Sequence, residues 1–128
     1  MKVLVDTCTF LWMIDDAPAL STRAREVVTD PNNEAYFSAA SAWEIAIKYA
    51  LGKLPLPELP SHFVPAQRTL LALTALPIEE ESVLALDRLP PLHRDPFDRL
   101  LVCQALTHSL VIVSPDPKIQ QYPVRTLW

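Results

Sequence analysis

Glycine is nearly absent from this chain of 128 residues, in which Gly52 is the only one. Phosphate-binding loops of the P-loop and GxGxxG types depend on several glycines, because the backbone must approach the phosphate closely. The chain also lacks an excess of positive charge, since 11 Lys and Arg against 15 Asp and Glu give a formal net charge of −4. This argues against a protein that coats nucleic acid through charge alone, but not against an enzyme that grips it locally.

Cysteine and long apolar segments are equally scarce. Cys8 and Cys103 are too few for a disulfide scaffold and lack the CxxC spacing of a thiolate zinc site, so we interpret both as buried free thiols. No apolar run is long enough to span a bilayer, and the N-terminus lacks the apolar stretch of a secretory signal. We therefore expect a cytoplasmic protein without membrane association.

Apolar runs alternate with segments of helical composition along the chain, and turn residues separate them. The predicted strands are 2–5, 34–38, 74–78, 110–113 and 124–127. The predicted helices are 9–14, a second from Ser21, 39–51, 67–73, a fifth from Glu79 to Pro90, and 96–109. Prolines predict a loop over 54–65, and Ser114 to Pro117 reads as a turn.

Strands that alternate with helices require right-handed crossovers. We therefore predict one α/β domain over residues 1–128, with a mostly parallel central sheet covered on both faces. Such sheets bind ligands beyond the carboxyl ends of their strands. Acidic residues that follow the strands would therefore lie at the ligand-binding edge.

Two aspartates follow predicted strands at that edge. Asp6 comes directly after Val5, and Asp116 lies three residues past Val113. Each alone has an ordinary explanation, because Asp6 could cap the next helix and Asp116 could be a turn residue between two prolines. Two acids at equivalent strand ends favour a shared site.

Asp98 gives the strongest indication of a site. Its neighbours at i+3, i+4 and i+7 are Leu101, Val102 and Ala105, so it begins an apolar stripe and should point toward the interior. A buried carboxylate without a partner is costly, so it requires a cation or a dense set of donors. Asp95 is the expected N-cap of the same helix, and both pure capping and a supporting role at the site stay open.

Glu44 lies in the middle of a predicted helix, where either an exposed pair with Lys48 at i+4 or a role at the site would explain it. Together the acids predict a centre for a hard divalent cation, because oxygen ligands suit Mg²⁺ or Mn²⁺ better than Zn²⁺. His62, His93 and His108 form no zinc-binding pattern, and we interpret them as surface or structural residues. Such a cation supports phosphodiester hydrolysis.

Four segments carry these acids in order along the chain. They are Val3-Leu4-Val5-Asp6-Thr7, Ser41-Ala42-Trp43-Glu44-Ile45, His93-Arg94-Asp95-Pro96-Phe97-Asp98-Arg99-Leu100-Leu101 and Val111-Ile112-Val113-Ser114-Pro115-Asp116. The set resembles the PIN domain and, more narrowly, the VapC-type toxins of bacterial toxin–antitoxin pairs, and the ending Tyr122-Pro123-Val124-Arg125-Thr126-Leu127-Trp128 is similar to one subgroup. The resemblance implies an α/β/α sandwich and a magnesium- or manganese-dependent nuclease that cuts RNA.

The resemblance also assigns roles residue by residue. Asp6, Glu44 and Asp98 match the three core acids of the family, and Asp116 matches a more variable fourth. These acids are expected to hold the metal, which activates water for attack on the phosphodiester. Residues expected to support the site, with the contact between Asp95 and metal left open, are Asp95, Thr7 and Ser114.

Partners follow from the same resemblance. They are an RNA substrate, a cognate VapB-like antitoxin whose tail lies across the active site, and a second copy of the chain in a homodimer. The apolar residues 10–13 could serve the core or such a contact, and we expect most to be core. Basic residues would determine which RNA is cut, but the sequence does not place them; they are Lys48, Lys53, Arg94 and Arg99.

Other function classes fit the residues less well. Haloacid-dehalogenase-like phosphatases need an aspartate two positions after the first one, and here that position is Cys8. Receiver-like signalling modules need an acidic pair near the first strand and a lysine after a later one, and neither is visible. A catalytically weak PIN-like module that binds RNA or protein is the better alternative, although the four filled acid positions favour activity.

Overall fold

The computed structural model describes residues 1–128 and contains five strands and seven α-helices. All five strands are parallel and form one sheet in the order β3-β2-β1-β4-β5. The predicted α/β class with a parallel sheet is therefore confirmed. The elements are β1 (Lys2–Val5), α1 (Thr7–Asp15), α2 (Thr22–Thr29), β2 (Glu34–Ser38), α3 (Ala39–Ala50), α4 (Pro60–Leu70), β3 (Thr74–Leu76), α5 (Glu80–Leu84), a 3₁₀ turn (Ala85–Arg88), α6 (Pro96–His108), β4 (Val111–Val113), α7 (Pro117–Gln120) and β5 (Thr126–Leu127).

Helices cover both faces of the sheet, because successive strand residues point in opposite directions. Val3 and Val5 of β1 pack into one buried cluster with Phe10 of α1. Leu4, between them, packs into the other cluster, which is built largely by α6 and includes Leu101. Since β1 is buried on both faces, it reads as a continuous apolar run rather than an alternating one.

The strand order creates a crevice between β1 and β4. The chain passes from β1 outward to β2 and β3, then returns to the other side of β1 to form β4 and β5. The connections therefore leave β1 and β4 in opposite directions, and ligand sites of parallel sheets form at such a point. The backbone N–H of Asp6 donates to the Val113 carbonyl oxygen at 3.4 Å, which joins the ends of these two strands.

The prediction was wrong for the proline-rich segment. Residues 60–65 are not a loop, because α4 begins at Pro60, a residue favoured at the first helical position, and continues through Pro65. Burial of Phe63 and Val64 against the core outweighs the hydrogen bond lost at Pro65. The helix also ends before the predicted Leu73, because Ala72 has a φ of 55°.

Smaller differences lie at element ends. The first helix begins at Thr7 rather than Thr9, and the predicted turn around Asp116 passes into the short helix α7. Strands β3 and β5 are shorter than predicted. Phe10 and Met13 are buried as expected. None of the helices combines the length and the apolar character that crossing a bilayer requires.

Candidate active site

A cavity of about 360 Å³ opens at the carboxyl edge of the sheet, beside the ends of β1 and β4. The structure brings the three predicted core acids and the predicted fourth acid to it, together with two of the three predicted supporting residues. Its lining is Asp6, Thr7, Cys8, Leu11, Glu44, Lys48, Lys53, Leu54, Asp95, Asp98 and Asp116. Five carboxylates therefore face two lysines across one small space.

Three of these aspartates also cap helices that begin at the cavity. Asp6 Oδ1 accepts a hydrogen bond from the Thr9 N–H at 2.8 Å, and Asp116 Oδ1 accepts one from the Lys118 N–H at 2.9 Å. Asp95 Oδ1 accepts two from the first turn of α6. In each case Oδ2 takes no backbone hydrogen bond. Capping and a role at the site are thus compatible, since each function uses a different oxygen.

Glu44 is buried, although other residues of the same helix, α3, are exposed. Its Oε1 accepts a hydrogen bond from the Thr7 hydroxyl at 2.7 Å, and its Oε2 accepts one from the Lys48 ammonium at 2.5 Å. The predicted i,i+4 pair with Lys48 is therefore present, but the glutamate is only 7% exposed. Thr7 and Lys48 together hold the carboxylate at the cavity wall.

Asp98 is a carboxylate with a strongly raised pKa. Loss of water raises its pKa to about 7, and the negative charges of Asp95, Asp116, Glu44 and Asp6 add to the rise. Its side chain is 17% exposed. Of the charged side chains that surround it, the carboxylates outnumber the cations, so a bound cation would relieve the repulsion.

Asp6 is more deeply buried, and Ser114 connects it to Asp116. Burial raises the pKa of Asp6, and hydrogen bonds from Ser114 and Thr9 oppose the rise. The Ser114 hydroxyl also accepts the N–H of Asp116 at 3.1 Å. Ser114 is fully buried and does not line the cavity, so it acts on the aspartates from behind.

Cys8 corrects one prediction. Cys103 is buried as expected, but Cys8 is half-buried and lines the cavity. Its thiol lies 3.6 Å from both carboxylate oxygens of Asp6. Burial and the charge of Asp6 raise the pKa of this thiol to about 12, so it remains protonated and acts as a weak donor to the aspartate.

His93 is a site residue that the sequence did not identify. Its Nε2 lies 3.4 Å from Asp98 Oδ2, and its Nδ1 lies 2.9 Å from the hydroxyl of Tyr122. Arg99 donates to the same hydroxyl at 3.1 Å, so it braces the histidine instead of facing the cavity. The signal available was that His93 precedes Asp98 in one motif; its neighbour Tyr122 is distant in sequence.

The donor set suits a hard cation, with a restriction on how the cation is held. All five acids offer oxygen ligands, which Mg²⁺ and Mn²⁺ prefer. No three Asp, Glu, His or Cys side chains are close enough together to hold a metal ion jointly. Mg²⁺ commonly binds through one or two carboxylates and keeps several waters, so the arrangement fits that mode and not an all-protein cage.

Comparisons of sequence place the chain among known proteins. The model of the PIN domain family matches residues 3–124. Ribonuclease VapC16 of Mycobacterium tuberculosis (strain ATCC 25618 / H37Rv) is 58% identical over 41 residues, which cover 32% of this chain and 29% of that protein. The match thus spans under a third of that relative.

Solved structures share the fold over almost the full chain. A structure of VapBC2 from Rickettsia felis bound to a DNA fragment from their promoter gives a TM-score of 0.74 at 14% identity, covering 100% of this chain and 99% of that one. VapBC-1 from nontypeable Haemophilus influenzae gives 0.66 at 17% identity, with 99% and 97% covered. FitAcB from Neisseria gonorrhoeae gives 0.59 at 19% identity, with 100% and 97% covered. At these identities the likeness shows the fold alone.

Proposed function

The chain belongs to the PIN domain family, and from this premise we propose that it is a metal-dependent endoribonuclease, the toxin of a toxin–antitoxin pair. The observation that carries the proposal is the convergence of Asp6, Glu44, Asp98 and Asp116 on one cavity. Each acid alone has a structural explanation. Burial, together with the charges of the neighbouring acids, raises the pKa of Asp98 to about 7, and a charged carboxylate in such surroundings is unfavourable without a cation.

Mg²⁺ or Mn²⁺ is the ion that we propose for these four acids. Asp98 is the first choice for direct contact, because its carboxylate caps no helix and forms no ion pair with a lysine. When bound, the ion would supply positive charge at the phosphoryl oxygens and lower the pKa of water. We further propose that the whole of residues 1–128 forms a single PIN domain around this site.

The surrounding residues hold the acids in place. Thr7 fixes one oxygen of Glu44, and Lys48 neutralises the other. Ser114 connects Asp6 with Asp116 through the hydrogen bonds described above. Such positioning matters because catalysis at a phosphodiester depends mainly on placement and charge, and no side chain is needed as a nucleophile.

The partners in this proposal are RNA, a VapB-like antitoxin and a second copy of the chain. The structural neighbours described as VapBC complexes support the antitoxin. The name of the ribonuclease relative supports RNA as substrate, although the match covers 29% of that protein. The homodimer and the cytoplasmic location stay predictions from the sequence.

A catalytically weak PIN-like module that binds RNA or protein is the second candidate. Two observations favour it: no three site residues could jointly hold a metal, and both oxygens of Glu44 already have partners within the protein. Such a module would bind its partner without hydrolysing a phosphodiester.

RNA cleavage separates the two candidates. Total RNA is incubated with the purified chain after removal of metal, with and without added Mg²⁺, and the cleavage ends are mapped. We expect cleavage only with Mg²⁺, and a loss of at least 100-fold in Asp6→Ala and Asp98→Asn. Cleavage that needs no metal, or full activity in both variants, would sink the mechanism. Binding without cleavage supports the weak module.

The antitoxin has a separate test. If the chain is a toxin, the gene immediately upstream should encode a small protein with a DNA-binding N-terminal part, and that protein should co-purify with this chain and suppress its cleavage of RNA. The absence of such a gene would remove the toxin assignment and leave the nuclease assignment standing.

A further inference from the structure

The cavity must admit a phosphate although carboxylates dominate its lining. Five acids face it, and the only cations among the lining residues are Lys48 and Lys53. An RNA backbone carries one negative charge per phosphate and is repelled by such a surface. One divalent ion neutralises two of the five charges. Only when the two lysines are counted as well does the net charge of the cavity come close to neutral, so that a phosphate can enter.

The end of α3 explains how both lysines reach the cavity. The N–H of Lys53 donates to the Lys48 carbonyl oxygen at 2.9 Å, and the N–H of Gly52 donates to the Tyr49 carbonyl oxygen at 3.0 Å. This pair of bonds is the Schellman motif, and it requires the left-handed conformation that Gly52 adopts at a φ of 71°. The chain reverses there and returns Lys53 to the level of Lys48.

The two positions joined in this way are usually apolar. The residues at C3 and C″ of a Schellman motif often make a hydrophobic contact that stabilises the helix end. Here they are Lys48 and Lys53, so the motif places two lysines that both line the cavity where an apolar pair is common. A lysine beside other charges is stabilised by an anion, and Glu44 is such an anion for Lys48.

The two lysines differ in whether their ammonium groups already have a partner within the protein. Lys48 is paired with Glu44 at 2.5 Å, and that hydrogen bond raises its pKa, so it stays charged. Lys53 forms no ion pair and is exposed at the cavity rim. Of the other basic residues near the site, Arg99 is bound to the carbonyl oxygen of Pro90 and to the hydroxyl of Tyr122.

We propose that Lys53, which lines the cavity together with Lys48, is the binding site for a backbone phosphate of RNA at the mouth of the acidic cavity. This rests on the proposed function, because it names the part of the substrate that the site holds. A lysine is a point charge that contacts phosphate and reads no base, so the two lysines contribute affinity and not the choice of RNA that the sequence led us to expect of them. Lys48 also positions Glu44, whereas Lys53 acts on the phosphate alone.

The test is the salt dependence of RNA binding. Fluorescence anisotropy of a labelled single-stranded oligoribonucleotide is measured from low to high KCl, with Ca²⁺ in place of Mg²⁺ to slow hydrolysis. Wild type is compared with Lys53→Gln, with Lys53→Arg, which keeps the charge, and with Lys2→Gln as the matched control. Lys2 is exposed and lies at the start of β1, where it pairs with Glu34.

We expect Lys53→Gln to raise the Kd about five- to tenfold at low salt and to reduce the slope of log K against log salt by about 0.7. Sequences of different composition should lose affinity equally, Lys53→Arg should bind nearly as well as wild type, and Lys2→Gln should stay within about twofold. In RNA cleavage by Lys53→Gln, KM should rise and kcat should stay unchanged.

Two outcomes overturn the inference and can be told apart. If wild type binds RNA but Lys53→Gln and Lys2→Gln give the same Kd and slope, the lysine site is wrong and the nuclease proposal is untouched. If wild type binds no RNA under any of these conditions, both proposals fall. Loss of affinity in Lys53→Gln with unchanged thermal stability rules out unfolding as the cause.

Discussion

Among the residues of the site, Asp98 has the clearest thermodynamic consequence. Its pKa is about 7 in the folded chain against 3.8 for an ordinary aspartate, mainly because burial removes water from the carboxylate. Between these values the folded state binds more protons than the unfolded state. Stability contributed by the neutral acid is therefore present at low pH and is lost as the pH rises through about 7.

We expect Asp98→Asn to be more stable than wild type at pH 8 and equal to it near pH 4. The amide stays neutral at both values, whereas the carboxylate becomes charged inside the cavity. After allowance for solvent screening, the gain at pH 8 is about 1 to 2 kcal/mol. Urea denaturation in EDTA at the two pH values measures it, because chelation prevents a cation from stabilising the charged form.

Asp87→Asn is the control for this experiment, since Asp87 is an exposed aspartate in the 3₁₀ turn and does not line the cavity. It should change stability little at either pH. If Asp98→Asn shows no gain at pH 8 over this control, the burial of Asp98 among negative charges does not raise its pKa as described.

The residues that sequence reasoning identified differ in kind from those that it missed. Asp6 and Asp116 could be found because the carboxyl ends of parallel strands meet at one edge, which is a rule about topology. His93, which was missed, reaches the site through contacts that depend on side-chain direction, and Lys53, which the sequence named but did not place, reaches it through a turn. Such contacts become visible only when distant segments, such as the one containing Tyr122, are in place.

At the scale of elements, one residue at the start of α6, Asp95, both caps the helix and lines the cavity. Asp95 accepts hydrogen bonds from the N–H groups of Phe97 at 2.9 Å and of Asp98 at 3.2 Å, and its carboxylate lines the cavity. Its charge also contributes to the raised pKa of Asp98. Capping and support of the site can therefore be separated by substitution.

Two variants make that separation. Asp95→Ala removes the cap and should lower the free energy of unfolding by about 1 kcal/mol relative to Asp95→Asn, because asparagine caps helices as well as aspartate does. Asp95→Asn should keep the stability of wild type but cleave RNA several-fold more slowly, since the cavity loses a charge. Denaturation and cleavage rates of the same preparations give both quantities.

Two results would contradict these expectations for Asp95. Full cleavage activity in Asp95→Asn would make the residue a helix cap only. Equal stability of the Ala and Asn variants would mean that the two backbone hydrogen bonds contribute little to α6.

Helix and strand prediction succeeded where local chemistry decides the structure. The start of α6 has an aspartate cap followed by proline, and the helix begins where this pattern predicts. The segment before β3 was mispredicted because its prolines indicate a loop, while burial of Phe63 and Val64 favours a helix. The early end of α4 at Ala72 rests on a left-handed residue that is not glycine, so no sequence signal marked it.

At the scale of the molecule, the sheet order determines where chemistry can occur. Strands β1 and β4 lie side by side in the centre. The acids that follow these two strands converge above them with those of α3 and of the start of α6. The whole chain is acidic, with a formal net charge of −4. Long-range attraction therefore would not bring the proposed RNA substrate to it, and capture would depend on the proposed metal and on the few cations at the cavity.

Direct binding of Mn²⁺ to the metal-free chain tests the central claim, that the acids at this edge form a metal site. Calorimetric titration should show saturable binding that Mg²⁺ competes for and that tightens from pH 6 to pH 8, because the ion competes with the proton on Asp98. The double variant Asp6→Asn with Asp98→Asn should lose this binding. Absence of saturable binding in wild type, or equal binding in the double variant, would contradict the account.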